Sequence, residues 1–334
     1  MTAGSIELLA FTDNGQHLAE FLARQLGGCA SRCGHPLTLA QWTANNFPRA
    51  EALVFVGAAG IAVRAIAPYV KSKAQDPAVV VADEGARWAV PILSGHLGGA
   101  NDLARRIAGI CGAQAVITTA TDVNGVFAVD EWSKRQNCVI CNPQKIKTVS
   151  AALLAGQPVR LYSEFTVAGT PPDGVILSEE AACDFRLSLH RGKREVLHLV
   201  PRIAVLGVGC RKGTSAETLG AALEHLLETT GLCPQAVCAV ASIDLKKEEP
   251  GLLQFCTAHG WPLQTYPASA LAAVQGNFTA SAFVQKTTGV DNVCERAAVL
   301  AAGGHLYSKK NAGGGVTMAL ALQPYAPDWR WQDE

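Results

Sequence analysis

The stretch VPILSGHLGGANDLARRIAG, residues 90–109, decides how the first part of the chain folds. A strand-like apolar run ends at Ser94, passes glycines at 95, 98 and 99, and enters the amphipathic run NDLARRIAGI. Strand, glycine loop and helix in that order make one unit of an α/β fold. Glycine costs backbone entropy, so the loop serves tight turns and close packing, or it lets a ligand approach the chain. Strand ends of open α/β sheets collect ligands, and a helix start offers free N–H groups to an anion. His96 stands among those donors. The helix field predicts a neutral imidazole fit to act as general base near pH 7; the alternative is a ring that only hydrogen-bonds its own loop.

Outward from this stretch, strand-like and helix-like runs alternate through the first 130 residues. They read IELLAF, GQHLAEFLARQL, ALVFVG, IAVRAIAPYV, AVVVAD, WAVPIL, NDLARRIAGI and QAVITT. That order predicts a parallel or mostly parallel sheet flanked by helices, with DEGARW (83–88) as a hairpin turn. ITTATD (117–122) places three threonine hydroxyls and Asp122 at a strand end, for capping, for ligand contact or for both.

The pattern weakens over residues 131–202, which read as a small middle region ending in the basic linker RLSLHRGKREVLHLVPR. A second α/β domain, 203–334, opens with a strand, GVGCRKGTS and a helix capped by Thr214 and Glu217. The fold class is therefore α/β: two α/β domains, 1–130 and 203–334, with mostly parallel or mixed sheets joined by the middle region. GVGCRKGTS meets neither the dinucleotide nor the P-loop spacing. Arg211 and Lys212 beside a helix start still suit a carboxylate or a phosphate.

Composition narrows the function. Of 334 residues 49% are apolar and 17% charged, enough for more than one packed core. Lysine plus arginine balance aspartate plus glutamate at 28 each, so no global field favours nucleic acid or an anionic membrane. The longest apolar run, 52–63, is too short to span a bilayer, and the N-terminus has no basic segment typical of a signal peptide. Eleven scattered cysteines fit a reducing compartment, and the expected location is the cytoplasm. Cys138 and Cys141 form one C-x-x-C and Cys29, Cys33 and His35 a looser cluster, which falls short of a zinc site. No G-x-S-x-G or H-E-x-x-H motif supports a serine hydrolase or a zincin.

The run VRAIAPYVKSKAQDPAVVVADEGARWAVPILSGHLGGANDLARRIA, followed by VITTATD, closely resembles the N-terminal domain of the cobalt-precorrin-5A hydrolase family, the cobalamin biosynthesis protein CbiG. VLGVGCRKGTS, ASIDLKKEE, TGVDNVCERAAVLAAGG and VTMALAL resemble that family's C-terminal domain. The resemblance implies an enzyme of the anaerobic cobalamin pathway. It would open the δ-lactone of cobalt-precorrin-5A and release acetaldehyde to give cobalt-precorrin-5B. It implies a corrinoid substrate that carries its own cobalt, hence no cofactor and no separate metal site. The partners expected are that small molecule and either a second copy, as a homodimer, or neighbouring pathway enzymes in transient contact.

On this reading water is activated by His96 or by a carboxylate of Asp83, Glu84 or Asp122, with the expected catalytic set His96, Glu84 and Asp122. N–H groups around Gly98 and Gly99 would hold the oxyanion. The macrocycle's rim carboxylates would be bound by Arg64 and Lys73 of the first domain and by Arg211 and Lys212 of the second, with Gly95, Gly98, Gly99, Asn101, Thr119 and Thr214 as further substrate-binding residues. The alternative is a non-catalytic corrinoid carrier of the same pathway, with a nucleotide-dependent oxidoreductase behind it.

Overall fold

The computed structural model describes residues 5–72, 75–192 and 195–331. It divides into two compact units, the first reaching Glu131 and adding Leu153–Ala155, the second holding the remainder.

In the first unit the strands are β1 (Ile6–Ala10), β2 (Cys29–Arg32), β3 (Ala52–Val56), β4 (Ala78–Ala82), β5 (Trp88–Leu93) and β6 (Gln114–Ala115). They form one sheet in the order β2-β1-β3-β4-β5-β6. Every pairing is parallel except β4 with β5, where Ala82 faces Ala89 across the DEGARW turn. The helices are α1 (Asp13–Leu26), α2 (Leu39–Asn46), α3 (Ala59–Ile66), α4 (Ala100–Cys111) and α5 (Ala120–Val123), and the boundary of the unit at Glu131 falls within α6 (Val129–Arg135).

Strand side chains alternate between faces, and here both faces are covered. Leu8, Val54 and Val80 pack with Leu22 of α1 and with Leu103 and Ile107 of α4. The intervening Leu53, Phe55, Val79 and Val81 pack with Trp42 and Ile66 on the other side. That is why ALVFV and AVVVA read as unbroken apolar runs.

One strand direction decides where the site lies. Because β5 runs against β4, the loop after β5 sits at the sheet edge opposite the carboxyl ends of β1, β3 and β4. The six residues of β5 therefore place Glu84, at the hairpin tip, about 20 Å of strand away from His96.

In the second unit the middle region carries its own sheet of β7 (Cys138–Ile140), β8 (Val159–Ser163), β9 (Val175–Leu177), β10 (Phe185–Leu187) and β11 (Leu197–Pro201), ordered β7-β11-β10-β8-β9. The stretch read as a basic surface linker instead contributes to two buried strands, β10 and β11, with Arg191, Gly192 and Glu195 exposed between them. Leu187, Leu197, Leu199 and Val200 are wholly buried. Within β10 the charge of Arg186 is tolerated because its side chain turns inward, donates to Glu180 at 2.6 Å and to the Ser188 hydroxyl at 2.8 Å, and lies over the Tyr162 ring.

The C-terminal sheet is β12 (Ala204–Cys210), β13 (Val237–Ile243), β14 (Leu263–Tyr266), β15 (His305–Gly313) and β16 (Val316–Leu322), ordered β14-β13-β12-β16-β15. Helix α7 (Ile146–Leu154) lies in the middle stretch of sequence, and α8 (Ala216–Thr230), α9 (Pro250–His259), α10 (Ala268–Ala273), α11 (Ala282–Thr288) and α12 (Cys294–Ala302) follow. Leu219, Leu223, Leu226 and Phe255 cover one face of the sheet, and Val293, Ala297 and Ala298 the other. The cap of α8 is Ser215, whose hydroxyl accepts from the Thr218 N–H; Thr214 instead donates to the Arg211 carbonyl. No helix among the described residues is long and apolar enough to cross a membrane.

Candidate active site

The loop from Ser94 to Gly99 folds onto itself before it meets anything else. Ser94 holds a positive φ of 55° and its hydroxyl donates to the Asp76 carbonyl. A Cβ on Gly98 would stand 2.4 Å from the Ser94 Cβ, and Gly99 starts α4 at φ 83°. Gly95 lies against the Asn101 amide in the same way. Close packing within the loop accounts for these glycines, so the ligand-approach reading is not needed to explain them. The Gly99 N–H donates to the His96 carbonyl and is not free for an oxyanion.

This turn delivers His96 into a ring of carboxylates. Its Nε2 lies 2.8 Å from Asp122 Oδ2 and 3.5 Å from Glu131 Oε1, and its Nδ1 lies 3.2 Å from Asp130 Oδ1. The Thr121 hydroxyl is 3.4 Å from Nε2. Only 12% of the imidazole is exposed. Asp122 comes from α5, and Asp130 and Glu131 from the first turn of α6.

Asp122 is the organiser. Its Oδ2 accepts from His96, from the Thr119 hydroxyl at 2.5 Å and from the Asn101 amide at 3.2 Å, while Oδ1 accepts from Arg105 Nη2 at 2.5 Å. Burial pushes its carboxyl up, but hydrogen bonds from His96 and Thr119 and the charge of Arg105 hold it below the usual aspartate range.

These contacts reverse the expected state of His96. Burial alone would lower its pKa; hydrogen bonds and charge from Asp130, then Asp122 and Glu131, hold it at about 9. A helix terminus is worth about 0.3–1 kcal/mol, whereas one charge pair at 4 Å is worth about 4 kcal/mol at an effective dielectric of 20. The carboxylates win, and without another cation the ring is an imidazolium at neutral pH, not a waiting base. Glu131 shows the converse: burial, with Asp122 and Asp102 nearby, lifts its carboxyl to about 7 against the pull of His96 and Arg105. It is 6% exposed and neither oxygen accepts a hydrogen bond.

The remaining expected residues fall elsewhere. Glu84 is exposed and bonded to the Thr12 hydroxyl, away from His96, and so does not join it. Asp83 accepts from the Arg87 and Trp88 N–H groups and closes the hairpin. Arg64 is exposed in the last turn of α3, and Lys73 lies outside the described residues. In the second unit Arg211 and Lys212 are exposed, but the Gly213 N–H beside them is already taken by the Glu249 carboxylate at 2.6 Å. Among the described residues Cys138 joins no cluster of metal-ligating side chains; burial pushes its thiol up to about 12, and its Sγ lies 3.4 Å from the Tyr325 hydroxyl. Sequence reasoning missed Asp130, Glu131 and Arg105. Acidic residues opening a helix are ordinary dipole partners, and nothing local ties them to a histidine more than thirty residues earlier.

A buried imidazole ringed by carboxylates at the edge of an α/β sheet is the equipment of a protein that activates water or moves protons. Family models described as Cobalamin synthesis G N-terminal, Cobalamin biosynthesis central region and Cobalamin synthesis G C-terminus match residues 41–122, 127–187 and 204–321. The chain is 38% identical over 300 residues to the cobalt-precorrin-5A hydrolase of Salmonella typhimurium, covering 83% of each chain. It is 31% identical to the cobalt-precorrin-5A hydrolase of Priestia megaterium, covering 84% of this chain and 80% of that one. It is 30% identical to a probable cobalt-precorrin-5A hydrolase of Methanocaldococcus jannaschii, covering 81% and 85%. The chain belongs to the cobalt-precorrin-5A hydrolase family.

Proposed function

We propose that this protein hydrolyses cobalt-precorrin-5A in the cytoplasm as a step of anaerobic cobalamin synthesis, opening the δ-lactone and releasing acetaldehyde. The observation that carries the reading is the 38% identity across 83% of both chains with a cobalt-precorrin-5A hydrolase. The His96 cluster supports it as the place where water is activated. Water adds to the lactone carbonyl, the ring C–O bond breaks, and a carboxylate and a hydroxyl result. The hydroxyl then loses its proton and becomes the aldehyde carbonyl as the neighbouring C–C bond breaks. That electron pair passes into the macrocycle, which takes up a proton, so the sequence is redox-neutral. The cobalt arrives within the substrate.

His96 and Asp122 are the catalytic residues of this reading, with Asn101 and Thr119 holding Asp122. Incubating the purified protein with cobalt-precorrin-5A should yield acetaldehyde in step with substrate consumed. Binding with the lactone intact would instead identify a carrier.

We also assign rim carboxylates of the substrate to Arg211, Lys212 and Thr214. Arg211→Ala combined with Lys212→Ala should weaken corrinoid binding several-fold at low salt and leave the melting temperature unchanged, since both side chains are exposed. Unchanged affinity by titration would make this loop purely structural.

A further inference from the structure

Three atoms with lone pairs converge beside α4, and one proton does not satisfy them. His96 Nε2, an Asp122 oxygen and a Glu131 oxygen lie within 4.8 Å of one another. A hydrogen on Nε2 reaches Asp122 at 2.8 Å and leaves Glu131 at 3.5 Å, beyond good hydrogen-bond range. Glu131 is then a carboxyl group with a side chain only 6% exposed and no donor on either oxygen. Ionised in that state, it is a costly buried charge. Asp102 and Asp122 both repel a charge on Glu131, and the nearby guanidinium of Arg105 is committed to Asp102 and to Oδ1 of Asp122.

We propose that His96 Nε2, Asp122 Oδ2 and Glu131 bind a divalent first-row transition-metal cation. One imidazole nitrogen and two carboxylate oxygens form a donor set such ions accept, and three protein ligands leave a coordination position for water. Asp130 sits where a supporting carboxylate belongs: it takes the Nδ1–H at 3.2 Å, which fixes the tautomer and turns the Nε2 lone pair toward the cation. The ion occupies the position of the Nε2 proton and supplies Glu131 with the partner it lacks. Asn101 and Thr119, donating to Oδ2, and Arg105, on Oδ1, keep that carboxylate oriented. Binding itself does not depend on the hydrolase reading. If that reading holds, the same ion would polarise the lactone carbonyl or acidify the attacking water.

The test uses the full chain, free of corrinoid, stripped with chelator and titrated with Co2+ while calorimetry and visible absorption are followed. The expected result is one Co2+ bound per chain, with d–d bands and no thiolate charge-transfer band. Glu131→Gln should weaken binding at least tenfold, and Asp130→Asn by about 10–100-fold as loss of an outer support. Circular dichroism confirms that each variant is folded. Absence of binding below about millimolar Co2+, a thiolate charge-transfer spectrum, or an affinity unchanged in Glu131→Gln overturns the proposal. No substrate is present, so failure of the hydrolase activity would leave the binding result standing.

Discussion

Replacing His96 by alanine should lower acetaldehyde release from cobalt-precorrin-5A by roughly 100-fold or more, the lower end of the scale for loss of a positioned acid–base group. The same loss is expected whether the ring holds a proton or a metal, because both place positive charge at the Nε2 position between Asp122 and Glu131. Stability should fall as well. Removing one partner of a buried charged cluster costs about 3–5 kcal/mol, reduced here as Glu131, already lifted to about 7, takes up a proton. His96→Gln separates the two effects, since it keeps a polar group in the ring's place and limits unfolding. Turnover near wild type in either folded variant would remove His96 from the chemistry and leave the carboxylates to account for it.

The part of this site legible in the sequence is the part built from local rules. The strand, glycine loop and helix of residues 90–109 are visible because apolar period and glycine placement change within a few residues, and β5 and α4 fall there. Strand direction here is legible too: a hairpin turn at DEGARW makes β4 and β5 antiparallel, and that pairing puts Asp83 and Glu84 at the opposite end of β5 from His96, so the hairpin itself argues against grouping Glu84 with His96. What the sequence hides is the charge state. The helix field is local and readable, whereas the Asp130 and Glu131 carboxylates that outweigh it come from another helix. In the middle region, charge itself misleads: Arg186 and His198 are buried polar residues with named partners, and composition cannot tell a paired buried arginine from a solvated one.

In the C-terminal unit the largest single-methyl effect should come from Gly207→Ala. GVG in β12 looks like the start of a nucleotide loop, yet Gly207 lies inside the central strand of the sheet, opposite Ala241 on β13 and Ala319 on β16. A Cβ there would stand 1.8 Å from the Cys294 carbonyl oxygen and 2.9 Å from the Ala298 Cβ. The obstacle is helix backbone, which cannot rotate away as a side chain would. The methyl must push α12 off the sheet, loosening Ala297 and Ala298 from Val205 and Ala321. Overpacking costs about 1–3 kcal/mol where neighbours yield, so about 3 kcal/mol or more is expected here, read as a fall in the denaturant midpoint. Gly220→Ala is the control. It sits in α8 with nothing within 4 Å of the added methyl, and alanine in place of glycine in a helix should add about 0.5–1 kcal/mol. Opposite signs at the two glycines would tie the motif to the close approach of helix and strand; a tolerated Gly207→Ala would mean that α12 does not rest on β12 at this distance.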